Sequence, residues 1–180
     1  MRIPFPGDTW LARQKKEMSK FKYRVGLGFD FHPFVEDREL VLGGVAIPGI
    51  EGLSGHSDAD ALTHAVIDAL LGAAGLDDIG CMFPDDDPSY QGISSLLLLE
   101  EVYDRVSEKG YSVGNVDVVV IAEAPRLRPH AEAIRANIAR TLHIAAEDVA
   151  IKATTMEGKG VVGRREGIAV QAVALLYRVD

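Results

Sequence analysis

The chain has 180 residues, 47% of them apolar and 26% charged, with a formal net charge of −8. That length suits one domain around a single core, and the composition excludes a disordered or fibrous chain. The acidic balance argues against nucleic acid and membrane lipid as partners, and no apolar run approaches the length of a membrane span.

Residues 1–22 carry Arg2, Arg13, Lys15 and Lys16 but no continuous apolar segment, so they do not read as a secretory signal. They are set apart as an N-terminal extension, and 23–180 is taken as a single domain. The next stretch, Arg24 to Phe34, alternates strictly and predicts a strand. Val25, Leu27, Phe29 and Phe31 share one face, expected to meet the core. Gly26, Gly28, Asp30 and His32 share the other, the glycines clearing space for a close neighbour, and Pro33 should end regular pairing. Glu39 to Pro48 predicts a hairpin about Gly43-Gly44, followed by a loop from Gly49 to Gly55.

Ser57 or Asp58 should cap a helix over Ala59–Gly72, with Leu62, Val66 and Leu70 as its apolar row and Ala61, Ala65 and Ala69 beside it. Asp77 to Gln91 is acidic and proline-containing and reads as a loop. A second helix is expected from Ser94 or Ser95 to about Lys109, a third over Pro129–His143, and strands over Val116–Ala122, Val149–Thr155 and Gly167–Tyr177. The order predicts an α+β sandwich: one sheet with helices on one face. The last strand is apolar enough to expect a partner subunit on the other face.

Several residues suit metal and phosphate chemistry. Asp30 and His32, two apart on a strand, project the same way. With His64 they make the three protein ligands that a catalytic zinc site needs, one position staying open. Asp60 and Asp68, four residues either side of His64, are candidates to receive its other ring nitrogen. The alternative is a satisfied helix histidine and a chance Asp-x-His pair. His56 and Ser57 precede a helix start, where an anion can bind; Ser57 alternatively only caps the helix. Asp85, Asp86 and Asp87 either orient a cation or are solvated. Lys152 to Glu157 either holds Mg²⁺ and a diphosphate or ends a strand. The glycines at 26 and 28 lack the rest of a dinucleotide fingerprint.

Taken together, GLGFDFHPF, HSDADALTHAVIDALLGAAGLDDIG, FPDDDP, GYSVGNVDVVVIAEAPRLRPH and IKATTMEGKGVVGRREGIAVQAVALL, in this order, resemble the 2-C-methyl-D-erythritol 2,4-cyclodiphosphate synthase family from about Arg24 onward. The resemblance implies a homotrimer of α+β sandwiches whose sheets meet on a three-fold axis, with active sites between subunits. It implies Asp30, His32 and His64 as zinc ligands and Glu157 as ligand of Mg²⁺ or Mn²⁺. It implies His56 and Thr155 as transition-state stabilisers, with Ser57 beside His56. Asp78 and Gly80 would hold the methylerythritol unit, with Phe83, Asp85 and Asp87 in the adjoining substrate loop. Ala122, Pro125, Arg126, Leu127, Arg128 and Thr154 would form the cytidine pocket, and Arg164 a further substrate contact. The expected location is bacterial cytoplasm or a plastid-type stroma.

This chain departs from the pattern in residues 1–22, in Val161 and Val162, and in Arg165, where glycine is usual. In the family that last segment faces a central cavity suited to an isoprenoid diphosphate, and an added arginine would strengthen or block anion binding there. Two rival readings share these residues: a zinc phosphohydrolase, and a trimeric module that binds an isoprenoid diphosphate without catalysis.

Overall fold

The computed structural model describes residues 22–179, so the N-terminal extension lies outside the described residues except for Lys22. β1 (Tyr23–Leu42) is a long strand that turns at Gly43-Gly44 into β2 (Val45–Leu53). Both turn glycines have positive φ, 58° and 67°, the backbone a two-residue hairpin demands. The predicted hairpin is therefore present. The loop predicted from Gly49 is not, because the partner strand runs on to Leu53. Pro33 closes the β1 ladder with the last strand, where it faces Gly167, but the chain continues as strand against β2.

The long helix α1 (Ala61–Ala74) follows, then a short α2 (Ile79–Met82) and α3 (Ser95–Glu108). The segment read as loop from Asp77 to Gln91 thus contains α2 and a single 3₁₀ turn at Pro88–Tyr90. β3 (Tyr111–Ile121) starts earlier than predicted, and α4 (Ala131–Thr141) is shorter. β4 (Val149–Thr154), the one-turn α5 (Gly160–Gly163) and β5 (Gly167–Arg178) complete the chain. The strands form one mixed sheet in the order β2-β1-β5-β3-β4, with only β3 and β4 parallel. The fold is α+β.

The sheet face expected to be bare and the face expected to be covered are exchanged on β1. Val25, Leu27 and Phe29 are 67%, 59% and 59% exposed, whereas Gly26 and Gly28 lie under α1. A Cβ on Gly26 would stand 1.9 Å from the Ala69 carbonyl oxygen, and one on Gly28 1.9 Å from that of Ala65. The helix meets the strand with Ala61, Ala65, Ala69 and Ala73, all buried, so two backbones touch with almost no side chain between them. Alternation shows which residues share a face; it does not show which face this chain's own helix covers.

The cap of α1 is Asp60, not Ser57 or Asp58. Its carboxylate is fully buried and accepts from Thr63 N at 3.0 Å and Thr63 Oγ1 at 2.7 Å, and from Gly43 N and Gly44 N at 2.9 and 2.7 Å. One side chain thereby ties the helix start to the hairpin turn and is fully engaged in doing so. Arg165 has φ of 61°, a left-handed conformation that costs a side-chain-bearing residue about 1–2 kcal/mol. No helix among the described residues is long and apolar enough to cross a membrane.

Candidate metal centre and substrate cleft

Because Asp30 and His32 share the β1 face that carries the two glycines, they point at α1, where His64 sits one turn in from the cap. The close approach of strand and helix brings the three side chains to one point. Asp30 Oδ2 lies 2.9 Å from His32 Nε2 and 3.2 Å from His64 Nδ1, and the two ring nitrogens are 3.2 Å apart. Ligand atoms 2.0–2.1 Å from a tetrahedral zinc ion are about 3.3 Å from one another, so this triangle matches one face of such a shell. Two imidazole nitrogens and a carboxylate oxygen are also the right donors for it. Among the described residues this is the one group of three or more such side chains near enough to share an ion.

Each ligand is braced from behind. Asp30 Oδ1 accepts from Phe31 N at 2.9 Å, and His32 Nδ1 is hydrogen-bonded to the Ser54 carbonyl. Gly55 passes so near that a Cβ there would be 3.1 Å from His32 Cε1. The outer nitrogen of His64 faces Ser95 Oγ at 2.9 Å and Ser57 Oγ at 3.1 Å. Neither Asp60 nor Asp68 receives it, contrary to expectation: Asp60 is spent as the cap, and Asp68 accepts from Ile79 N at 2.9 Å. Burial by itself raises the Asp30 carboxyl, but hydrogen bonds and charge from His32 and His64 outweigh it and hold the group well below the usual carboxylate range. Burial likewise disfavours charged His32, but the hydrogen bond and charge of Asp30, the Ser54 carbonyl and the charge of Asp85 push it up.

These ligands line a cleft with His56, Ser57, Gly80, Phe83 and Asp85. His56 Nε2 donates to the Asp87 carbonyl at 3.1 Å, which fixes the ring against that loop. Asp78 caps α2 through Cys81 N at 2.9 Å and so sets Gly80 on the cleft wall; Asp87 caps the 3₁₀ turn through Ser89 N at 2.9 Å. The anion site expected at the start of α1 is not available there, since the buried Asp60 carboxylate already fills it. Ile79, Tyr90 and Leu98 also line the cleft, and Phe83 and Tyr90 stack edge to face at 5.3 Å. Ile79, Tyr90, Leu98 and Ser95 are not among the residues the sequence points to, because wall residues and a helix-start serine carry no chemical signature.

The remaining predicted residues gather elsewhere. Ala122 N donates to Thr154 O at 3.0 Å, and Thr155 Oγ1 to Glu157 Oε1 at 2.9 Å. Glu123 Oε1 accepts from Met156 N and Gly158 N at 2.9 and 3.2 Å, folding that loop. Leu127 is buried in the core, while Arg126 and Arg128 are exposed, and Pro125 follows a cis peptide. Arg164 Nε donates to Glu166 Oε1. One row across the sheet runs Phe31, Ala169, Ile121, Thr154. Three interstrand steps put Thr154 about 14 Å from the metal strand, at the same end of the sheet. Within one chain the two clusters are thus separate.

The model of the YgbB family matches residues 23–177. This chain belongs to the YgbB family. Its relatives include the 2-C-methyl-D-erythritol 2,4-cyclodiphosphate synthase of Agathobacter rectalis, 59% identical over 85% of this chain and 86% of that protein. Among solved structures, the bifunctional IspDF from Campylobacter jejuni matches at 43% identity and a TM-score of 0.86, over 89% of this chain but 44% of that one. The Plasmodium falciparum IspF in complex with CDP matches at 34% identity and a TM-score of 0.77, over 88% of this chain and 97% of that one. The resemblance drawn from the sequence motifs is thereby borne out.

Proposed function

We propose that this chain is a CMP-forming 2-C-methyl-D-erythritol 2,4-cyclodiphosphate synthase, a phosphorus-oxygen lyase of non-mevalonate isoprenoid precursor synthesis. Its substrate would be 4-diphosphocytidyl-2-C-methyl-D-erythritol 2-phosphate. The observation that carries the reading is the convergence of Asp30, His32 and His64 on one point beside His56. An oxygen of the 2-phosphate bonds the β-phosphorus, the bond from that phosphorus to the bridging oxygen breaks, and CMP leaves with that oxygen. A phosphate is ionised near neutral pH, so no general base is needed; repulsion between two anions is the obstacle.

Asp30, His32 and His64 would hold Zn²⁺, and Glu157 would hold Mg²⁺ or Mn²⁺, supplying positive charge against the diphosphate oxygens. A lone Glu157 suits an ion whose other ligands are phosphates and water. The cleft folds the substrate so that its ends meet, which contributes up to about 7–11 kcal/mol in well-oriented intramolecular reactions. Ala122, Pro125, Arg126, Leu127, Arg128 and Thr154 would hold the cytidine, Leu127 through its backbone. Ser57, Asp78, Gly80, Phe83, Asp85, Asp87 and Arg164 would hold the rest of the substrate, and Thr155 and His56 the developing charge.

In this reading residues 23–180 form the catalytic domain of a homotrimer with its sheets around a three-fold axis. The bare sheet face supports it, since Val25, Leu27, Phe29, Val173 and Tyr177 lie exposed there and invite apolar cover. Active sites between subunits would then join the two clusters that a single chain keeps apart.

Incubation with the diphosphocytidyl substrate and zinc, followed by ³¹P NMR, should give CMP and a cyclic diphosphate. A linear phosphate product would overturn the proposal in favour of a hydrolase. His56→Ala should lower turnover by about 10²–10³-fold, the scale of losing one transition-state donor. Unchanged steady-state turnover would reduce His56 to a brace for the Asp87 loop.

A further inference from the structure

The hydrogen-bond chain behind His64 has a direction, and that direction ends at the metal position. Asp58 accepts from Ser95 N at 3.0 Å through Oδ2, at the first turn of α3, where Ser94 makes no side-chain cap. As a carboxylate it only accepts, so Ser95 Oγ, which is hydrogen-bonded to Asp58 Oδ1, must spend its proton there. Ser95 is fully buried, and its oxygen has only lone pairs left for His64 Nε2 at 2.9 Å. Ser57 Oγ, 3.1 Å from the same nitrogen, accepts from Ala59 N at 3.2 Å and lies 3.4 Å from Ser95 Oγ, which has a lone pair for the Ser57 proton, so Ser57 too can accept from Nε2. Nε2 thus meets acceptors, but Nδ1 meets another, Asp30 Oδ2 at 3.2 Å, so the two sides compete for the ring proton, and a proton on Nε2 leaves Nδ1 with a bare lone pair for an ion.

We propose that Asp58 and Ser95 are positioning residues that draw the His64 ring proton to Nε2, against the pull of Asp30 on Nδ1, and so favour the tautomer that can take an ion. This rests on the metal reading of the Asp30, His32 and His64 cluster. The two have different roles. Removing Ser95 takes away an acceptor but leaves the ring free to choose. Changing Asp58 to asparagine keeps the shape but reverses the polarity. The amide nitrogen facing Ser95 Oγ would donate to it, so that Ser95 donates to Nε2 and drives the proton onto Nδ1. Partners of this kind behind a metal-bound histidine are commonly worth 10–100-fold in metal affinity.

The test uses the whole protein, stripped of metal by chelation. ¹⁵N-resolved histidine NMR at pH 8 should find a larger Nδ1–H fraction for His64 in Asp58→Asn than in wild type. Zn²⁺ affinity, by competition with a chromophoric chelator, should fall about 10-fold or more in Ser95→Ala and further in Asp58→Asn. Far-UV circular dichroism of each variant separates a lost site from a lost fold. A His64 tautomer ratio that Asp58→Asn leaves unchanged overturns the proposal, and so does unchanged affinity in both variants. Failure of the wild type to bind Zn²⁺ at all would instead sink the metal reading on which it rests.

Discussion

Alanine at Asp30, His32 or His64 is expected to remove the metal and, with it, at least about 10³-fold of turnover. The three ligand atoms form a triangle with edges of 2.9 to 3.2 Å, and losing any one leaves two donors and a gap. Elemental analysis of each purified variant should find far less than one zinc per chain, and retained stoichiometric zinc in all three would refute the ligand assignment. Stability offers a second reading. An ion at 1,000 times its Kd stabilises the folded state by about 4 kcal/mol, which for a chain of this size is about 8–16 °C in Tm. Added zinc should raise the wild-type Tm on that scale and leave each variant unmoved.

The same site should show a defined pH dependence. Asp30 holds His32 protonated to a higher pH than an ordinary histidine, so an ion must displace a proton to bind. Apparent zinc affinity should fall about tenfold for each pH unit below the raised His32 value, and isothermal calorimetry in buffers of different ionisation enthalpy should detect the released proton. In metal-free protein the signs divide. The raised His32 adds stability below the unfolded histidine pKa, lost as pH rises through the folded value. The lowered Asp30 adds stability above the unfolded carboxyl pKa, lost as pH falls through the folded one.

Much of this was legible in the residue pattern. The alternation from Arg24 set Asp30 and His32 on one face together with Gly26 and Gly28, and that grouping is what the fold uses. Its orientation was not legible, because an apolar strand face that this chain's own helices leave bare reads the same as one they bury. His64 was legible as a helix residue, but its support was not. Helix spacing offers the i±4 carboxylates as partners, yet Asp60 is consumed by two hairpin amides and its own helix, and the partner comes from Ser95 at a sequence separation of 31. Only the fold brings α3 to that place. Asp60 as the cap lay within the pattern, three residues before the Thr63 amide it accepts, but Ser57 and Asp58 competed for the same role on equal terms of residue type.

The grouping of glycines with ligands leads to the other large effect, Gly28→Ala. The added methyl would stand 1.9 Å from the Ala65 carbonyl oxygen and 2.8 Å from Ala69 N. Both are backbone atoms in the middle of α1, so no rotamer change relieves the clash and the helix itself must move away. Overpacking of a core costs about 1–3 kcal/mol, and a backbone obstacle puts this case at the upper end, about 6–12 °C in Tm. The functional loss should exceed the stability loss. Asp30 and His32 follow Gly28 on the same face, and His64 lies on the turn that must shift, so a displacement of about 1 Å opens the ligand triangle. Zinc affinity should therefore fall steeply even at temperatures where the variant stays folded. Gly72→Ala is the matched control: it lies on the exposed side of the same helix with nothing within 4 Å of the new methyl. Alanine there should stabilise by up to about 1 kcal/mol and leave zinc affinity untouched. Equal Tm and equal zinc affinity for Gly28→Ala and wild type would mean that strand and helix do not pack backbone to backbone, and that the site is not built by their contact.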